Sequence, residues 1–300
     1  MRSTYVLLGL TLAGCAGRQA PPESPNASVT RLAEATDQRF SNGDVTIRYR
    51  DYGRGEPVVL IHGFMRDLND WPAIGDSLAR DHRVIALDLR GHGMSDRPAG
   101  ESNYGRRMAD DVVRLIEHLR LERAHLVGHS LGAVIAANIA NRYPNRVSTL
   151  TLIAGPFWPD SAAAMGVIGP FITDVEQGRG LTNFIRWLLP SLPPGVPEQV
   201  NLELGRTWDG ALLVAMMRGM ATLMVGSGGE HAAPAFFIVG SDDPLQPLST
   251  ELSGRWTGSI LQVVQGANHI NIAARRELMA GMRAIMARRT SAALPRRRAA

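Results

Sequence analysis

Ser130 stands between two glycines in Gly128-His129-Ser130-Leu131-Gly132, and the chain changes character on either side of that pentapeptide. Residues 124–127 read as a strand and residues 133–143 as a helix, which puts the serine on the sharp turn between them. Such a turn pushes its central side chain out beyond the end of a sheet, and the flanking glycines let backbones approach without a Cβ clash. Ser130 is therefore the candidate nucleophile. A serine hydroxyl attacks a carbonyl only when a positioned base takes its proton and a carboxylate fixes the tautomer of that base. The oxyanion that forms needs donors already in place. Eight histidines are available as bases, and two adjacent carboxylates, Asp242 and Asp243, follow the apolar run 235–239.

The pentapeptide resembles the nucleophile elbow of the α/β-hydrolase fold, and three further segments carry the same likeness. Residues 58–61 followed by His62-Gly63-Phe64 resemble the family's strand and HGx loop. Asp88-Leu-Arg-Gly-His-Gly-Met-Ser95 resembles its DxRGxGxS loop, a structural signature, and Gly240-Ser-Asp-Asp243 resembles its GxxD pattern. The resemblance implies the chain order Ser, then Asp or Glu, then His, which leaves His231 and His269 as bases. His269 follows an extended run at 259–264 and the turn Gly266-Ala267-Asn268, precedes a helical stretch from Ile270 onward, and can reach the elbow from the same end of the sheet. His231 lies in Gly- and Ala-rich sequence before a strand. The GxxD likeness selects Asp243 as the acid, leaving Asp242 to cap or turn the segment near Pro244. Asp160 is a further alternative, because some members of the fold place their acid there. The implied oxyanion donors are the backbone N–H groups of Phe64 and Leu131, with His62 structural.

Strands at 45–49, 58–61, 83–87, 124–127, 147–153, 235–239 and 259–264 alternate with helical stretches at 71–80, 107–120 and 133–143. That alternation is expected to give an α/β fold, a mostly parallel sheet with helices on both faces, its functional loops at the carboxyl ends of the strands. Residues 30–154 and 235–290 would form the core. Residues 155–234, apolar, methionine-rich and interrupted by prolines, occupy the place of an inserted helical cap, with helices expected at 181–189 and 211–225. Phe184, Trp187, Leu188 and the methionines would give an apolar pocket lining or pack the cap's own core. At about 15 residues with Arg218 inside, the stretch 211–225 is short for a membrane span; a shallow interfacial contact is an alternative.

The first 15 residues read as a targeting signal. Arg2 precedes an uncharged, leucine-rich stretch, and Leu12-Ala13-Gly14-Cys15 resembles the lipobox of bacterial lipoproteins, whose cysteine is lipidated. Cys15 is the only cysteine, so no intramolecular disulfide can form. Ala16 carries no acidic inner-membrane retention signal, which points to the outer membrane. Residues 16–29 would be a proline-bearing linker and 291–300 a basic tail. An ordinary cleaved signal peptide is the alternative.

The net charge is +4 and every one of the 32 basic residues is arginine. No zinc-finger spacing, RNA-binding aromatic signature or helix-turn-helix pattern accompanies that charge, so nucleic acid is not an expected partner. No HExxH motif, phosphate-binding loop or GxGxxG after the first strand is present, and no metal or other cofactor is expected. Within the family likeness, haloalkane dehalogenases and most epoxide hydrolases carry aspartate at the elbow; Ser130 argues against both. The expectation is a serine hydrolase cleaving a carboxylic ester of an apolar substrate. The alternatives are a carbon–carbon bond hydrolase or cofactor-free perhydrolase on the same three residues, and a non-catalytic ligand receptor. Ala133, where many such relatives carry glycine, weighs against the first pair.

Overall fold

The computed structural model describes residues 21–190, 192, 195–223 and 233–292. The signal segment with Cys15, the alternative base His231, Met224 and the basic tail from residue 293 lie outside the described residues; residues 291–292 of the expected tail belong to the last helix.

Alternation of apolar residues builds a sheet covered on both sides. In β3 (Glu56–Ile61) and β4 (His82–Leu87) successive side chains face opposite ways. Val59, Ile61, Ile85 and Leu87 join one core cluster, and Val58, Leu60, Val84 and Ala86 join the other. With β1 (Asp37–Ser41), β2 (Thr46–Gly53), β5 (Ala124–His129), β6 (Val147–Ile153), β7 (Ala235–Gly240) and β8 (Ile260–Val264), they form an eight-stranded sheet among the described residues, in the order β1-β2-β4-β3-β5-β6-β7-β8. The β1–β2 and β2–β4 pairs are antiparallel and every other pair is parallel. The helices α1 (Pro72–Leu78) and α9 (Leu278–Ala292) bury Ile74, Leu78, Leu278, Met282 and Ile285 on one face. The opposite face is covered by α2 (Arg106–His118), α3 (Leu131–Arg142) and α8 (Gln246–Arg255). Every residue of α3 from Leu131 to Ala140 is buried, as a helix that is apolar on nearly every side must be, and Asn138 is the one polar side chain among them.

Four helices lie between β6 and β7: α4 (Ser161–Glu176), α5 (Thr182–Leu188), α6 (Val196–Thr207) and α7 (Gly210–Met220). They form the inserted cap. The sequence reading anticipated α5 and α7 but not α4 or α6. It took Pro170 as an interruption, yet α4 runs through it. The ring deletes one backbone hydrogen bond, and burial of Ala164, Ile168, Phe171 and Ile172 holds the helix across the gap. The cap is tied to the core where Arg218 of α7 bridges Glu176 of α4 at 2.8 Å and Glu101 at 3.4 Å. No described helix is long and apolar enough to cross a membrane.

Two boundaries differ from expectation. Residues 21–29 rest on the core instead of standing free. Arg83 donates to the carbonyl of Pro22, Ser24 Oγ donates to that of Asp51 at 2.8 Å, and Gly53 N–H donates to Val29 at 2.9 Å. These contacts lie at the amino ends of the parallel strands. After His269 the chain makes a short 3-10 turn, Asn271–Ala274, before α9 begins.

Candidate active site

The loops at the carboxyl ends of β3, β5, β7 and β8 converge on one pocket. Ser130 follows β5 directly with φ 54° and ψ −117°, a conformation that non-glycine residues rarely adopt. Its N–H donates to the carbonyl of Ile153 at 2.8 Å, which fixes the turn against β6. Side chains at the two neighbouring glycines are sterically barred: a Cβ on Gly132 would overlap the carbonyl oxygen of Ile61, and one on Gly128 that of Gly132.

Ser130 Oγ lies 3.0 Å from His269 Nε2, and His269 Nδ1 lies 2.9 Å from Asp243 Oδ2. A carboxylate beside Nδ1 makes that nitrogen the protonated one, so Nε2 presents its lone pair to the serine hydroxyl. Asp243 and His269 are buried, at 4% and 2% exposure. The second oxygen of Asp243 accepts from Leu245 N–H at 2.9 Å. Asp243 thus makes the turn that the sequence reading gave to Asp242. Asp242 is exposed, and its carboxylate accepts from Ser241 Oγ. Asp160 caps α4, accepting from Ala163 N–H at 2.7 Å, and stands apart from the row. The backbone N–H of Leu131 opens α3, where no intrahelical acceptor exists. Neither it nor the N–H of Phe64 donates a hydrogen bond among the described residues.

His129 was not singled out from sequence. Its Nε2–H donates to the backbone carbonyl of His269 at 2.9 Å, and the two rings lie 5.1 Å apart. The strand that delivers the serine therefore also holds the loop that delivers His269. Asn268 steadies the same loop, its Oδ1 accepting from the N–H groups of Ile270 and Asn271. Burial pushes His129 down to about 3, with the neighbouring His269 as the next cause, so its ring is neutral.

His62 also acts through hydrogen bonds. Leu89 N–H donates to its Nε2 at 3.0 Å and its Nδ1–H donates to the Gly63 carbonyl at 2.7 Å, while burial lowers it to about 4. Asp88, fully buried, accepts from Leu68 N–H and Met94 N–H, each at 2.8 Å, and from Arg48 at 3.1 Å. It joins the HGx loop to the DxRGxGxS loop.

Above Ser130 and His269 lies a pocket of about 550 Å³, mouth included. Phe64, Trp158, Ile168, Phe184, Trp187 and Leu188 supply much of its wall. Of the described cap methionines only Met220 reaches it; Met216 and Met217 are buried in the cap's own packing. No cluster of metal-ligating side chains occurs among the described residues.

A model of the alpha/beta hydrolase fold matches residues 56–172. The human mesoderm-specific transcript homolog protein is 30% identical over 242 residues, which cover 69% of this chain and 71% of that protein. The chain belongs to the α/β-hydrolase fold family. Fluoroacetate dehalogenase of a Burkholderia species is 32% identical over 163 residues, 53% of this chain and 50% of that enzyme. A thermophilic esterase from Thermogutta terrifontis superposes on this α/β hydrolase with a TM-score of 0.69 at 24% identity, over 85% of this chain and 99% of that one. The chain spans about a third to a half of the length of several curated relatives that it matches over shorter stretches.

Proposed function

We propose that this α/β hydrolase cleaves carboxylic esters through an acyl-enzyme on Ser130. The observation that carries the reading is the hydrogen-bonded row Asp243–His269–Ser130, its acid and base buried, at the floor of an apolar pocket. Ser130 Oγ attacks the ester carbonyl as its proton passes to His269 Nε2, and Asp243 holds the imidazolium that results. The oxyanion is received by the N–H groups of Phe64 and Leu131, each donor of this kind supplying about 3 to 4 kcal/mol. Collapse releases the alcohol, which takes the proton from His269. Water, activated by the same imidazole, then attacks the acyl-enzyme and frees Ser130.

The choice of acyl chemistry rests on the residue at the elbow. A serine alkylated by a halide or an epoxide would be left as an ether, which an imidazole and water do not open. An acylated serine is an ester, which they do. That favours the esterase-like relatives over the dehalogenase and epoxide hydrolase chemistries found on the same fold.

The test is hydrolysis of p-nitrophenyl esters from acetyl to palmitoyl. Ser130→Ala and Asp243→Asn are each expected to lower kcat by about 10⁴-fold or more. Equal turnover by wild type and Ser130→Ala would sink the reading. We further propose that the chain is exported and anchored in the bacterial envelope, with the outer membrane the expected site, through acyl groups on Cys15. Mass analysis of the N-terminal peptide from the native host is expected to find diacylglycerol and an amide-linked acyl group there, and an unmodified terminus downstream of Cys15 would overturn it.

A further inference from the structure

Among the described residues that line the pocket, Arg66 is the only arginine, and no aspartate, glutamate or lysine accompanies it. Its guanidinium is held in a fork on Asp70, with Nε at 2.7 Å from one carboxylate oxygen and Nη2 at 2.5 Å from the other. Asp70 is 13% exposed and Arg66 46% exposed at the side chain, so the carboxylate forms the inner support and the guanidinium faces outward. Nη1 makes no hydrogen bond among the described residues.

The loop beneath is equally fixed. Arg66 N–H donates to Gly63, Asp67 accepts from Asn69 N–H, and Leu68 N–H is held by Asp88. This is the loop that carries Phe64. The charge of Arg66 reaches the rings of His62 and His129, on which it is one of the smaller depressing influences. A pre-positioned fork loses little freedom when it binds a second acceptor.

We propose that Arg66 is a specificity-determining residue that selects esters bearing a carboxylate, whose apolar segment fills the pocket while the acid pairs with Nη1. The inference rests on the ester-hydrolase reading and names its substrate class. Such a substrate keeps its charge at the rim and its chain against Phe184, Trp187 and Leu188.

Two substrate series test it, with the acid on either side of the scissile bond: monomethyl esters of straight-chain dicarboxylic acids beside the dimethyl esters, and O-acetyl hydroxyalkanoates beside their methyl esters. In at least one series the acid is expected to exceed its neutral twin in kcat/KM by about 10-fold or more, chiefly through KM. In Arg66→Met that ratio is expected to fall toward one, and Arg66→Lys is expected to restore part of it. Because the ratio is measured within one protein, it does not depend on the fraction of a variant that folds. Neutral twins turned over as well as the acids by wild type in both series would overturn the proposal, as would a preference that survives in Arg66→Met. Absence of turnover on every ester would instead count against the ester-hydrolase reading.

Discussion

At the scale of single residues, the proposed chemistry depends on side chains that never meet a substrate carbonyl as well as on Ser130. His129 gives its only identified hydrogen bond to the main chain of His269, 140 residues further on. Losing that bond leaves His269 on a less constrained loop, and a misplacement of about 1 Å can cost 10²-fold in rate. His129→Phe is expected to lower kcat by about 10- to 100-fold with little change in KM, and His129→Gln, which keeps a donor, to recover part of the loss. Steady-state kinetics on one short-chain ester checks this; equal kcat for all three proteins would remove His129 from the positioning machinery. No pattern in the sequence could have assigned this role. A buried histidine bonded to a distant carbonyl reads the same as any apolar-flanked histidine. Ser130, Asp243 and His269 were legible because each sits at the junction of a strand and a turn, where local residue types announce the geometry. Arg66 lacked any such mark, since its meaning comes from Asp70 and the pocket wall together.

At the scale of elements, legibility followed burial. The strands β3 to β7 are covered on both faces and write themselves as apolar runs, so their places were evident. β1 was missed because in Asp37–Ser41 only Phe40 is buried. It is an edge strand, held by its ladder to β2 and by Arg48 and Arg50 on Asp37. The cap helices α4 and α6 were missed for a different reason. Their glycines and prolines argue against helix in isolation, and packing against neighbouring cap helices overrides that preference. The elbow was the easiest element to read, because its glycines answer to steric limits imposed by Ile61 and by the turn itself.

At the scale of the whole molecule, buried imidazoles whose protonation is opposed by burial, His62, His92 and His129 above all, make stability depend on pH. Burial holds His62 at about 4 and His92 and His129 at about 3; for His92 the nearby His62 adds to the push, and Asp88 opposes it. An unfolded chain protonates its histidines near 6.5. Below that pH the unfolded state binds more protons than the folded one, so stability is retained above about 6.5 and lost as pH falls toward 4. Each group adds a slope of up to about 1.4 kcal/mol per pH unit. Urea midpoints are expected to drop clearly between pH 7.5 and 5.5, and the drop to be smaller in His92→Gln. Midpoints that do not move with pH would show that these rings are not buried as neutral groups.

Residues 21–29 lie against β2 and β4 at the end of the sheet away from the pocket. Residue 21, the first described, is thus on the side of the sheet's amino ends, behind the pocket. Fixed to a solid support or a bilayer by that end, the protein would turn its open mouth toward the surrounding water. Reactants would then arrive from the solution side, without having to pass between the molecule and the surface that holds it.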